Sequence, residues 1–244
     1  MFSFKKFLTG FFFTGALLLH SGCTTAQITD ILKQASTNPT TTEISMGLKE
    51  ALEKGTGISA ERLSLENGYL GNLDVKILFP EEAKNVENTL RSIGLGSMVD
   101  QVITSLNRAA EDAAIEAKPI FTQAIKQMSF QDVQNILLGE ENAATMYFKG
   151  STTSSLTEKF SPIIDASLKK VDATKYWGDV MTRYNKVPFV KKVDTDLTAY
   201  VTQKAIDGLF IEIAKEELEI RENIGARTSP LLKKVFGYAE SQKR

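Results

Sequence analysis

Histidine and cysteine are nearly missing from this 244-residue chain; it has one of each, His20 and Cys23, and no later position holds either. Beyond residue 23 there is no imidazole and no thiol, so Ser-His-Asp and Cys-His catalysis are excluded. Zinc sites that need His or several Cys are excluded too, and a disulfide within the chain would need a second cysteine. A surplus of basic charge is also lacking. Lys plus Arg is 29 against 30 for Asp plus Glu, a net charge of −1. With no basic tract to neutralise phosphates, no nucleic-acid partner is expected. Gly-rich phosphate loops and calcium-loop spacings are absent. No cofactor and no metal is expected, although a carboxylate-only metal site or an acid–base carboxylate pair stays compatible with the composition.

No apolar run is long enough to cross a bilayer, which needs about 20 helical residues. The longest, Phe7 to Leu19, has 13 residues and follows Lys5 and Lys6. A short cationic start, a short apolar block and a small-residue exit at Ser21-Gly22 read as a signal peptide over residues 1–22. Leu19-His20-Ser21-Gly22-Cys23 resembles the lipobox of bacterial lipoproteins, in which the cysteine becomes the first mature residue and carries the lipid. His20 stands where that pattern has Leu, Val or Ile, so ordinary cleavage is the alternative. Cys23 is the expected lipid attachment, since a lone free thiol is a liability in an oxidising compartment. Thr24, rather than Asp, follows it, which in such lipoproteins points to the outer membrane facing the periplasm. Removing residues 1–22 takes Lys5 and Lys6 away, so Lys plus Arg falls from 29 to 27 against 30 acids, a net charge of −3.

Residues 23–41 are polar and Thr-rich and read as a tether; residues 42–244 are expected to form a single helical domain, large enough for a core without disulfides. Ile44, Leu48 and Leu52 recur at helical spacing, with Gly55 expected as a C-cap. NGYLGNLDVKILFP (67–80) is different. Asn67-Gly68 signals a turn, and Val75, Ile77 and Phe79 alternate with Lys76 and Leu78. The segment near residues 63–80 is expected to be a short hairpin or an extended piece lying on helices. From Pro80 onward the pattern is helical. Leu95 to Met128 carries apolar residues three and four apart, with Pro119 dividing the run. Ser129 with Asp132 reads as a capping box. Later stripes include Leu156 to Val171, and Leu197 to Ile213 inside a helix to about Asn223. A last helix opens at Ser229-Pro230 and is expected to close at Gly237. The fold class is therefore all-α, mainly a multi-helix bundle.

NGYLGNLDVKILFP, ILLGEENAATMYFKGST (136–152), YWGDVMTRYNKVPF (176–189) and the segment 197–237, in this order, resemble the bacterial family called domain of unknown function 4197. The likeness covers residues 44–237. It implies an exported, often lipidated protein, and the family carries no established activity from which a catalytic residue could be transferred.

Candidate ligand-binding residues come from three places. Thr145, Tyr147 and Lys149 follow the Gly139–Asn142 turn and could floor a polar pocket, or simply belong to helix caps. Arg221 and Arg227 could clamp an anionic head group, because a guanidinium fork suits carboxylate and phosphate; Glu217 and Arg221 are also i, i+4 partners on an ordinary helix face. Tyr176 and Trp177 could edge an aromatic pocket or sit in the core. No catalytic residue is assigned. The leading functional expectation is a non-catalytic, lipid-anchored envelope module that binds an apolar or amphipathic ligand or an envelope protein. A carboxylate-dependent hydrolase or lyase using Glu140, Glu141, Glu216 and Glu217 is the first alternative, a structural envelope lipoprotein the second.

Overall fold

The computed structural model describes residues 38–242 apart from Val187, Val190, Lys191 and Thr195. The expected signal segment 1–22, Cys23 and the expected tether as far as residue 37 lie outside the described residues. Asn38–Arg244 is one compact unit. Among the described residues there are nine α-helices and no strand.

Helix α1 (Thr41–Ser64) starts where its sequence dictates. Thr40 Oγ1 accepts the Glu43 amide at 3.2 Å and Glu43 Oε2 accepts the Thr40 amide at 2.8 Å, a reciprocal capping box. Gly55 does not end this helix, contrary to expectation. Ser59, Ala60 and Leu63 beyond it are fully buried, and their burial carries the helix to Ser64. Gly47 permits a close approach, since a Cβ there would stand 2.7 Å from Val235 Cγ2.

A 3₁₀ turn (Glu81–Ala83) leads into α2 (Lys84–Ser92), and Gly94 at φ +86° turns the chain into α3 (Gly96–Ala114). Only glycine takes that conformation without strain. Pro119 divides the following run as expected: α3 ends at Ala114 and α4 spans Ala117–Gln127. Helix α5 (Phe130–Leu137) opens on the Ser129–Asp132 capping box. Then come α6 (Ala143–Lys169), α7 (Ala173–Tyr184) and α8 (Leu197–Glu222). Helix α9 (Pro230–Gln242) passes through Gly237 rather than stopping there, because Ala239 is still buried against the core.

Helix α8 is central and packs on α1, α3 and α6. The alanine face of α3 (Ala109, Ala110, Ala113, Ala114) is fully buried, which lets α6 and α1 approach closely. Phe121, Phe148 and Phe210 meet edge-on at 5.2 and 6.3 Å in the middle of the core. Helix α2 differs from the others; it packs chiefly on α3 and on the turn that precedes it.

The segment 65–80 is no hairpin: residues 66–71 and 73–75 are turns, residues 76–80 run on without a turn along the helices, and Leu63 and Ser64 belong to α1. Its alternation is real: Val75, Ile77 and Phe79 are buried while Leu78 is exposed. The strand it would pair with is replaced by one side chain. Asn107 of α3 accepts the Ile77 amide at 2.8 Å and donates from Nδ2 to the Ile77 carbonyl at 2.8 Å. Glu111, one turn on, accepts the Tyr69 and Leu70 amides, each at 3.1 Å. The Tyr69 hydroxyl donates to the Ala205 carbonyl at 2.7 Å. Gly208 leaves room for that ring, since a Cβ would stand 2.8 Å from Tyr69 Cε1.

Candidate functional site

The charged residues singled out from the sequence hold the bundle together. Glu217 of α8 lies inside the protein and faces the start of α6. Its carboxylate accepts the Ala144 amide at 2.9 Å and the Thr145 amide and hydroxyl, each at 2.8 Å. Asn142 at the N-cap makes no side-chain cap, so a carboxylate from another helix meets the positive end of α6. Arg221 donates to Glu217 at 2.8 Å and to the Ile136 and Leu137 carbonyls at 2.8 and 3.3 Å, which closes the end of α5. The pair therefore splices the α5–α6 junction: the anion caps one helix start and the cation caps one helix end.

Arg227 does the same for α8. It is buried, donates to the Ile220 and Arg221 carbonyls and to Glu240, and lies over the Phe236 ring at 5.5 Å. The two arginines thus spend their forks on protein oxygens. The crevice beside Glu217 and Arg221 holds about 20 Å³, room for roughly one water. Lys149 sits over the Phe210 ring at 5.8 Å, and Tyr147 packs edge-on against Phe148. Burial holds the Tyr147 hydroxyl above its usual range, with a smaller push from Asp132. The four carboxylates do not converge. Glu140 and Glu141 are exposed, Glu216 pairs with Arg62 at 2.8 Å, and Glu217 is fully engaged.

Three buried polar residues escaped the sequence reading. Asn107 and Glu111 pin the 65–80 segment, and Glu212 ties that segment to α1 and α8. Glu212 accepts from Arg62 at 3.0 Å, Asn72 at 3.0 Å and Lys215 at 2.7 Å. Burial pushes its carboxyl up, but the bonds from Lys215, Arg62 and Asn72 outweigh that and hold it below the usual range. A single polar residue inside an apolar stripe was the only available signal for any of them.

Tyr176 and Trp177 lead elsewhere, to an open groove of about 900 Å³ between α2, α3 and α7. Phe79, Val99, Trp177 and Met181 line it and are buried. Val86 and Leu90 of α2, half-buried, form one wall. Met98, Val171 and Tyr176, also in its lining, are 52%, 52% and 62% exposed. Val171 is thus not the core residue its stripe suggested; it lies just past the end of α6. The Trp177 ring sits 5.4 Å from Phe79, and its Nε1 donates to the Asp194 carbonyl at 3.1 Å. Of the sequence candidates, then, Tyr176 and Trp177 share this groove, Thr145 and Arg221 meet at Glu217 with Arg227 bonded to the Arg221 carbonyl, and Tyr147 and Lys149 stand apart from both. Among the described residues no cluster of three or more His, Cys, Asp or Glu could hold a metal ion.

Among the described residues, fold and groove together define a helical bundle with a largely apolar groove between α2, α3 and α7. The family model described as "Protein of unknown function (DUF4197)" matches residues 38–237, and the chain belongs to that family. No curated protein and no solved structure gives a significant match.

Proposed function

We propose that this is an exported, non-catalytic binding module, anchored through a lipid on Cys23 to the periplasmic face of the outer membrane, and that the α2–α3–α7 groove takes an apolar or amphipathic ligand. The observation that carries the reading is the exposure of Met98, Val171 and Tyr176 around a floor of buried Phe79, Val99, Trp177 and Met181. Apolar surface gathered in a concavity of this size is where small-molecule sites occur. The anchor rests on the order of charge, apolar block and cysteine in residues 5–23.

Residues 24–244, which contain the whole compact unit, supply the test. Native mass spectrometry after periplasmic expression should retain a small-molecule adduct. Nile red should bind saturably, with its affinity falling at least tenfold in Tyr176→Glu, whose parent side chain is exposed. Saturable binding indifferent to that substitution, or no binding and no adduct, would remove the groove from the reading and leave a protein-docking role. For the anchor, labelled palmitate should enter the full-length chain in cells and vanish in Cys23→Ser.

A further inference from the structure

The chemistry of the groove narrows what it would hold. Trp177 Nε1 is already spent on the Asp194 carbonyl, so that indole offers the interior no free donor. The polar liners from α3 are neutral: Ser97, Gln101, Thr104 and Ser105. Among the described residues the one ionised liner, Asp100, is bonded to Arg91 at 2.9 Å, and Arg91 also holds Glu87 at 3.0 Å. Among the described residues no Lys or Arg lines the groove, so an anionic head group finds no cation among those liners to replace its water. The lining runs from Ser97 to Ser105 on α3 and from Ala173 to Met181 on α7, about 12 Å along each helix at roughly 1.5 Å per residue. The result is a largely apolar trench whose one described charge, Asp100, is already paired.

Resting on the groove reading above, we infer that the occupant is a single hydrocarbon chain, lying between α3 and α7 with its head group outside. Charge makes the argument. A head group held by charge would need an unpaired ionised liner, and an amphipathic helix would need ionised rim residues to fix its register; among the described liners Asp100 is the one charge, and Arg91 holds it. A chain needs neither, and displaces water from apolar surface wherever it lies.

Trp177 is the only tryptophan in the sequence, so its emission reports this groove alone. Residues 24–244 would be titrated with dibrominated stearic acid and with a lysophosphatidylcholine carrying the same chain, both below their micelle concentrations. Bromine quenches indole on contact. We expect saturable quenching by both, with dissociation constants within threefold of each other, and at least a tenfold loss of affinity in Met98→Glu and in Tyr176→Glu. Far-UV circular dichroism would confirm that both variants fold. More than a tenfold preference for the fatty acid would overturn the inference, since a cation would then be reading the head. Nile red binding that depends on Tyr176, without quenching by either chain, would overturn it while leaving the groove reading intact. Loss of both signals would sink the two together.

Discussion

Asn107 does for the 65–80 segment what a neighbouring strand does for an edge, and its removal tests that assignment directly. The side chain is fully buried and makes three bonds: from the Ile77 amide at 2.8 Å, and to the Ile77 and Ile103 carbonyls at 2.8 and 2.7 Å. Ile103 precedes Asn107 by one helical turn, so the Ile103 carbonyl keeps its helical partner in a variant. Ile77 has no such reserve. In Asn107→Ala its N–H and C=O are both stranded in a buried site, at about 1–3 kcal/mol each. The expected loss is about 2–6 kcal/mol, a large part of the roughly 5–15 kcal/mol that holds a typical domain. Urea unfolding at 25 °C would read it. With a slope of about 2–3 kcal/mol/M, a loss near the middle of that range moves the midpoint by roughly 1–2 M.

Asn107→Asp refines the test. An aspartate keeps the shape and still accepts the Ile77 amide, but it sets a carboxylate against two carbonyl oxygens in a buried site. Burial and those oxygens favour the protonated acid and raise its pKa in the folded state. A raised folded pKa means that the folded state binds more protons, so this variant should lose stability as pH rises past the ordinary aspartate value of about 3.9. A cost under 1 kcal/mol for Asn107→Ala, or an Asn107→Asp variant whose stability relative to the parent does not fall with pH, would refute the role given to this side chain.

Glu217→Gln should cost about 3–5 kcal/mol, because it strands Arg221 in a buried site and puts an amide against donor groups at the start of α6; Glu217→Met with Arg221→Met should recover part of that loss in thermal melts. Gly208→Ala should cost about 1–3 kcal/mol through the Tyr69 ring and Val75, which a Cβ would meet at 2.8 and 3.1 Å, and near-ultraviolet circular dichroism should show the tyrosine environment change. The Glu43 carboxyl is held at about 2, first by the Lys234 hydrogen bond and then by Thr40, against an ordinary 4.5. Its contribution is therefore whole above about pH 4.5 and disappears as pH falls towards 2, so Glu43→Gln should destabilise at neutral pH and flatten that part of the acid-unfolding profile.

How far the sequence carried the fold depended on whether a feature repeats. Helix periodicity is redundant, so the stripes of α1, α3, α6 and α8 were legible even where one residue misled. Gly55 and Gly237 show the limit. Glycine after an apolar stripe usually ends a helix, but tertiary burial of Leu63 and Ala239 outweighs the roughly 1 kcal/mol that an interior glycine costs. The alternation of Val75, Ile77 and Phe79 was legible, while its partner was not, because that partner is one asparagine thirty residues away with no pattern to announce it. Arg221 and Arg227 were visible as unusual cations near a helix end. Their targets were invisible, since a helix-end carbonyl has no signature in the residue that owns it, and so a structural splice looked like an anion clamp. The groove divides along the same line. Trp177 and Tyr176 stood out as aromatics. Trp177 is buried against Phe79 and bonded to the Asp194 carbonyl while Tyr176 is exposed, and neither partner is near Trp177 at helical spacing. A groove assembled from three elements spreads its signal thinly, and only exposure in the folded chain separates Val171 from the stripe that the sequence put it in.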